Sequence, residues 1–149
     1  MKRLIREEGK QVGTLYHFTS ISNLLMLLDA NTLYSKRKNI CFTRNQNFIS
    51  DNREVSGTDC RLEIDGDSLS NSYKIEPYND EKFTENNPVK LEQEERINEE
   101  IISPIIPYIK EITIYDMSII DNQDAKIKRI NEIKQRIENT YNIPVKLEI

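Results

Sequence analysis

The run from Gln123 to Asn139 limits the possible folds more than any other part of this 149-residue chain. Ile127, Ile130, Ile133 and Ile137 recur there at helical spacing, with Lys, Arg, Asn, Glu and Gln between them. That period predicts one amphipathic helix with a narrow apolar stripe. A single helix of this length is marginal in water, so the stripe must find an apolar surface to cover. All four isoleucines are therefore expected in the core, and the rest of the chain must supply the surface they pack on.

What the rest offers is mainly short alternating segments. Gly13 to Phe18 alternates and carries Tyr and Phe, which reads as a first strand. Ser20 or Ser22 can cap the helix that follows, because a hydroxyl accepts a free amide of the first turn. Leu24, Leu25, Leu27 and Leu28 give that helix an apolar face that ends near Asn31. Asn39 to Arg44, Thr58 to Asp65, "YKIEPY", "EITIYD" and "IPVKLEI" read as further strands. "DGDSLSNS" is turn chemistry headed by Asp65-Gly66, while "QNFISDNREVSG" and Tyr78 to Pro88 read as polar loops. "KLEQEERIN" suits a helix by charge density or a strand at a cleft edge. Pro104 suits a first helical turn, and Pro107 keeps any helix there short. Neither a repeat nor a linker interrupts the chain. Residues 1–149 are expected to form a single α+β domain of short, mostly antiparallel strands with flanking helices.

Composition narrows the function classes. With 37% hydrophobic and 31% charged residues, the chain has enough apolar mass for one core and is not of disordered character. No apolar run approaches the roughly 20 residues that span a bilayer, so no membrane partner is expected. "MKRLIREEGKQ" turns polar too early for a secretory signal, which points to a cytoplasmic protein. Cys41 and Cys60 read as two separate thiols in a reducing compartment, with a disulfide as the alternative. One His and two scattered Cys leave no zinc site in prospect. The net charge of −4 steers nothing toward nucleic acid overall, although "SKRKN" is a local cationic patch or a solvated loop.

The single histidine, His17, stands in "LYHFTSISNLLMLL" just ahead of the capped helix. Arg44 ends the strand-like "ICFTRN", and the carboxylates of "EQEER" follow far downstream. In this order the three motifs resemble ADP-ribosyltransferase-fold enzymes, in particular the branch of the DarT toxins and small phage-encoded relatives. There a strand His precedes a capped helix as H-x-T-x-x-x-N-L, an Arg follows the next strand, and a Glu or Gln lies two residues before the catalytic Glu. The resemblance implies a split sheet with flanking helices and NAD⁺ as a substrate, with no metal. Residue by residue, it implies that His17 holds the nicotinamide-side ribose and that Thr19, Asn23 and Arg44 help bind NAD⁺. Glu94 becomes the catalytic carboxylate with Glu92 assisting, if "EQE" is the E-x-E motif; the alternative register pairs Gln93 with Glu95. The implied partner is a macromolecular acceptor, nucleic acid or protein. A Lys-, Asn- and Ile-rich composition agrees with a phage source acting in the host cytoplasm.

The chemistry needs such residue types. Breaking the nicotinamide–ribose bond leaves a sugar with oxocarbenium character, which a nearby carboxylate stabilises while it orients or deprotonates the attacking group. An imidazole can hydrogen-bond a ribose hydroxyl, and an Arg fork can hold a pyrophosphate. Two rivals stand beside this expectation. One is a domain of the same fold that binds without catalysis, as a phage inhibitor of a host factor would. The other is a nuclease or nucleotide-processing enzyme unrelated to NAD⁺, which the lack of clustered Asp and His for metal disfavours. One difference from the resembled toxins is local: their helix is commonly followed by Gly, whereas this chain has Asn31.

Overall fold

Residues 13–35, 40–44, 59–77 and 94–149 are described by the computed structural model. Strand β1 (Thr14–Thr19) leads into helix α1 (Ile21–Ala30), then β2 (Leu33–Tyr34) and β3 (Ile40–Thr43). Strand β4 (Cys60–Asp65) is followed by a short helix α2 (Gly66–Ser70) and β5 (Ile75–Pro77). Then come β6 (Glu94–Ile97), β7 (Ile101–Ile102), a 3₁₀ turn (Ile106–Tyr108), β8 (Ile109–Ile114), helix α3 (Gln123–Tyr141) and β9 (Val145–Leu147).

Among the described residues, seven strands form one sheet in the order β5-β6-β3-β1-β4-β8-β9, and β2 and β7 form a separate ribbon. The pairings are antiparallel except β8 with β9, which are parallel because α3 carries the chain across between them. The chain is thus α+β. Its sheet is continuous, yet it is thin at one seam. β1 pairs with β4 over its whole length, from Thr14 opposite Asp65 to Thr19 opposite Cys60, whereas β1 and β3 share only Tyr16 opposite Thr43.

Alternation gives the sheet one apolar face. Leu15, Leu62, Ile64 and Ile112 are fully buried on it, and α1 and α3 contribute their own buried residues to the same core. The two helices also touch: Asp29 near the end of α1 accepts hydrogen bonds from Arg136 (3.3 Å) and from the Tyr141 hydroxyl of α3. On the opposite face the Arg61 guanidinium stands 4.9 Å over the Tyr16 ring and donates to Thr113 Oγ1 at 3.3 Å.

Three expectations need correction. Ile130, Ile133 and Ile137 are buried, but Ile127, in the second turn of α3 and ahead of the first buried residue of the stripe, is 38% exposed. "DGDSLSNS" is not a plain turn. The Asp65 carboxylate accepts from the Ser68 amide (3.2 Å) and hydroxyl (2.8 Å), which caps α2 and holds that carboxyl below its ordinary pKa. Leu69 of that helix is then buried. Near Pro104 the helical turn starts two residues later, at Ile106, as a 3₁₀ turn that Pro107 keeps short as expected. Of the two readings of "KLEQEERIN", the strand is the one adopted from Glu94 onward, because β3 supplies its ladder partners from Ile40 to Thr43. The expected loops at 46–57 and 78–88 lie outside the described residues. No described helix is long and apolar enough to cross a membrane.

Neither cysteine is in a disulfide, and the strands that carry them flank β1 on opposite sides. Burial, with the Asp59 charge beside it, pushes the Cys60 thiol well above its ordinary pKa, which makes it a poor nucleophile.

Asn31 explains why glycine is not needed after α1. It adopts the left-handed conformation (φ 49°), and its side-chain Oδ1 accepts from the amides of Ile105 (3.0 Å) and Ile106 (2.8 Å). Glycine would take the same backbone angles and keep the Asn31 carbonyl for the Ile105 amide (3.2 Å), but would leave the Ile106 amide without its side-chain acceptor. Asn31→Gly is therefore expected to lower stability by about 1–3 kcal/mol, read from the denaturant midpoint. An unchanged midpoint would show that the cap conformation alone matters.

Candidate functional site

A groove of about 610 Å³ runs between the end of β1, the outer side of α1 and β2. Pockets that take small ligands commonly measure roughly 300–1,000 Å³. One end is polar, with His17 and Thr19 from β1 and Asn23 from the first turn of α1. The other end is mostly apolar, with Met26, Leu27 and Ala30 from α1, Thr32 after it, and Leu33 and Tyr34 from β2.

Local chemistry places the polar end. His17 and Thr19 are alternate residues of one strand and so share a side of it. The chain turns directly into α1, where the Ser20 hydroxyl accepts from the Asn23 amide at 3.2 Å, which selects Ser20 as the cap. Asp59 locks this corner. It is only 6% exposed, and its carboxylate accepts from the amides of Ile21 (3.3 Å) and Ser118 (3.2 Å). Cys60 Sγ adds a bond to the Thr19 carbonyl at 3.3 Å. Because the Asp59 carboxylate already sits against the first turn of α1, that helix start is unfavourable for a ligand phosphate.

His17 spans the thin seam of the sheet. Its Nδ1 is 3.1 Å from the Cys41 carbonyl oxygen on β3, and its ring meets Phe42 edge-on with centroids 5.7 Å apart. A carbonyl can only accept, so the network assigns the proton to Nδ1. Burial lowers the pKa of the ring, a shift the Cys41 bond partly opposes. The imidazole is then neutral at neutral pH and offers Nε2 as a hydrogen-bond acceptor. It suits a ligand hydroxyl better than an anion.

The acidic strand lies one strand further along. β6 pairs with β3, with Thr43 opposite Glu94 and Phe42 opposite Glu95. Tyr16 is opposite Thr43, so the register row through Tyr16 runs to Glu94, and the row through His17 and Phe42 runs to Glu95. Arg44 follows β3 directly and is half-buried. It is not among the described residues that line the groove. Glu92 and the cations Lys36, Arg37 and Lys38 lie outside the described residues. Among the described residues, no three His, Cys, Asp or Glu side chains are grouped to hold a metal ion.

Sequence reasoning thus named the polar end and missed the apolar one. Met26 is 69% and Tyr34 62% exposed, and both line the same groove. The available signal was slight: an aromatic residue just before a run of cations, and a methionine on the outer side of an otherwise leucine-faced helix. No protein-family model matches the chain, and no curated protein does either.

Proposed function

We propose that the chain is a small ADP-ribosyltransferase of the DarT-like kind. It would cleave NAD⁺ at the nicotinamide–ribose bond and transfer ADP-ribose to a macromolecular acceptor, nucleic acid or protein. The observation that carries this reading is the convergence of His17, Thr19 and Asn23, the H-x-T-x-x-x-N residues, on one groove of suitable size. Neutral His17, held at Nδ1, accepts a ribose hydroxyl proton through Nε2. Thr19 and Asn23 add donors and acceptors on the same wall.

The glycosidic electrons leave with nicotinamide, the acceptor's nucleophile bonds to the ribose carbon, and its proton passes to a carboxylate. The motif resemblance favours Glu94 for that carboxylate, with Glu92 beside it. The backbone register favours Glu95, which stands in the row of His17. We assign the role to Glu95 on that ground. Arg44, at the end of β3, remains the candidate for the pyrophosphate.

The second reading is a binding module of the same fold without catalysis, which draws on the apolar half of the groove. NAD⁺ calorimetry and a nicotinamide-release assay separate the two. Wild type is expected to bind NAD⁺ and to release nicotinamide slowly even without an acceptor. His17→Ala should stay folded, losing about 1 kcal/mol with the Cys41 bond, while its NAD⁺ Kd rises by about 10-fold. Undiminished NAD⁺ affinity in that variant would remove His17 from the site. Failure of the wild type to bind NAD⁺ would remove the reading altogether.

A further inference from the structure

The apolar half of the groove has no part in the chemistry above, although it presents an exposed tyrosine and an exposed methionine to a ligand. We infer that Tyr34, which lines this half of the groove together with Met26 and Leu33, is the stacking surface for the adenine ring of the bound dinucleotide. This rests on the NAD⁺ reading of the same groove.

Position along the fold decides between the two rings of NAD⁺. Tyr34 on β2 stands opposite Ile101 on β7. Between Glu95 and Ile101 the chain first runs to Ile97, about 7 Å along β6 at the usual strand rise, and then four residues further. The ribbon of β2 and β7 therefore lies beyond the end of the β3–β6 ladder remote from Glu94 and Glu95. α1 tells the same story from the other wall. Asn23 at the polar end and Ala30 at the apolar end are seven residues apart, about 10 Å along the helix axis.

Nicotinamide is bonded directly to the ribose that reacts, so it must remain within contact of the carboxylate end. Adenine is joined to that ribose through a pyrophosphate and a second ribose, which carries it to the far end of the groove. The chemistry of that end agrees. A flat π-face and a thioether favour a planar heterocycle, and stacking on an aromatic side chain is tolerant of ring substituents.

The experiment uses the full chain, with ADP-ribose and nicotinamide mononucleotide as separate calorimetric probes. Tyr34→Ala is expected to weaken ADP-ribose binding by about 10-fold, and Tyr34→Phe, which keeps the ring, to stay within about 2-fold of wild type. Affinity for nicotinamide mononucleotide should not change in either variant. Tyr34 is an exposed side chain, so the melting temperature of both variants should match wild type, which separates lost stacking from lost folding. Unchanged ADP-ribose affinity in Tyr34→Ala overturns the assignment, as does a selective loss of nicotinamide mononucleotide. If wild type binds nicotinamide mononucleotide and NAD⁺ but not ADP-ribose, the adenine subsite falls while the NAD⁺ reading stands. Binding of none of the three removes both.

Discussion

An Ile130→Asp chain is expected to be unfolded at neutral pH and room temperature. Ile130 is fully buried in the middle of the α3 stripe, with Ile133 and Ile137 beside it in the same core. The substitution removes the apolar burial, worth about 2–3 kcal/mol, and sets a carboxylate without a partner among aliphatic side chains. The charge can be avoided only by protonation or by undocking the helix, and either costs several kcal/mol more. Domains of this size are stable by about 5–15 kcal/mol in total, so the sum exhausts most or all of the margin. Far-UV and near-UV circular dichroism with a thermal scan reads the result. Ile127→Asp is the matched control. Ile127 is 38% exposed, and the same change there should cost under about 1 kcal/mol. A folded Ile130→Asp protein would mean that α3 packs elsewhere.

The largest effect expected on activity is at β6. Glu95→Gln should lower nicotinamide release by about 10²-fold or more while NAD⁺ affinity and melting temperature hold, since Gln keeps the shape and loses the negative charge. That loss corresponds to about 3 kcal/mol of transition-state stabilisation. Glu94→Gln should cost less than about 10-fold, because Glu94 stands in the row of Tyr16 and not of His17. Measured side by side, the two variants separate the E-x-E register from the Q-x-E register. The larger loss at Glu94 would restore E-x-E, with Glu92 as the assisting residue. Normal turnover in both would show that β6 supplies no catalytic carboxylate.

Features set by neighbouring residues could be read directly. The Ser20 cap, the leucine face of α1, the alternating β1, β4 and β8, and the stripe Ile130–Ile133–Ile137 all arise from interactions over one or two turns or a few strand positions. Period and capping chemistry act at that range, so the residue types carry the information themselves. The grouping of His17, Thr19 and Asn23 was legible for the same reason: a strand that turns at once into a capped helix brings them together.

Other features depended on partners far along the chain. His17 is pinned by the backbone carbonyl of residue 41, an acceptor that any amino acid there would supply, so no side chain announces it. Asp59 looked like one acid among many until α1 and the 115–118 segment closed around it. Ile127 fits the helical period as well as Ile130 does, and only the packing around α3 leaves one partly in water and buries the other. Which glutamate shares a row with His17 turns on the pairing of β1 with β3 and of β3 with β6, where a slip of one residue exchanges the two. The sequence by itself therefore determined the longer elements and the polar end of the groove, because both are encoded at short range. The strand register, the reach of the core and the apolar end of the groove were decided by tertiary structure, because each depends on which distant backbone lies alongside.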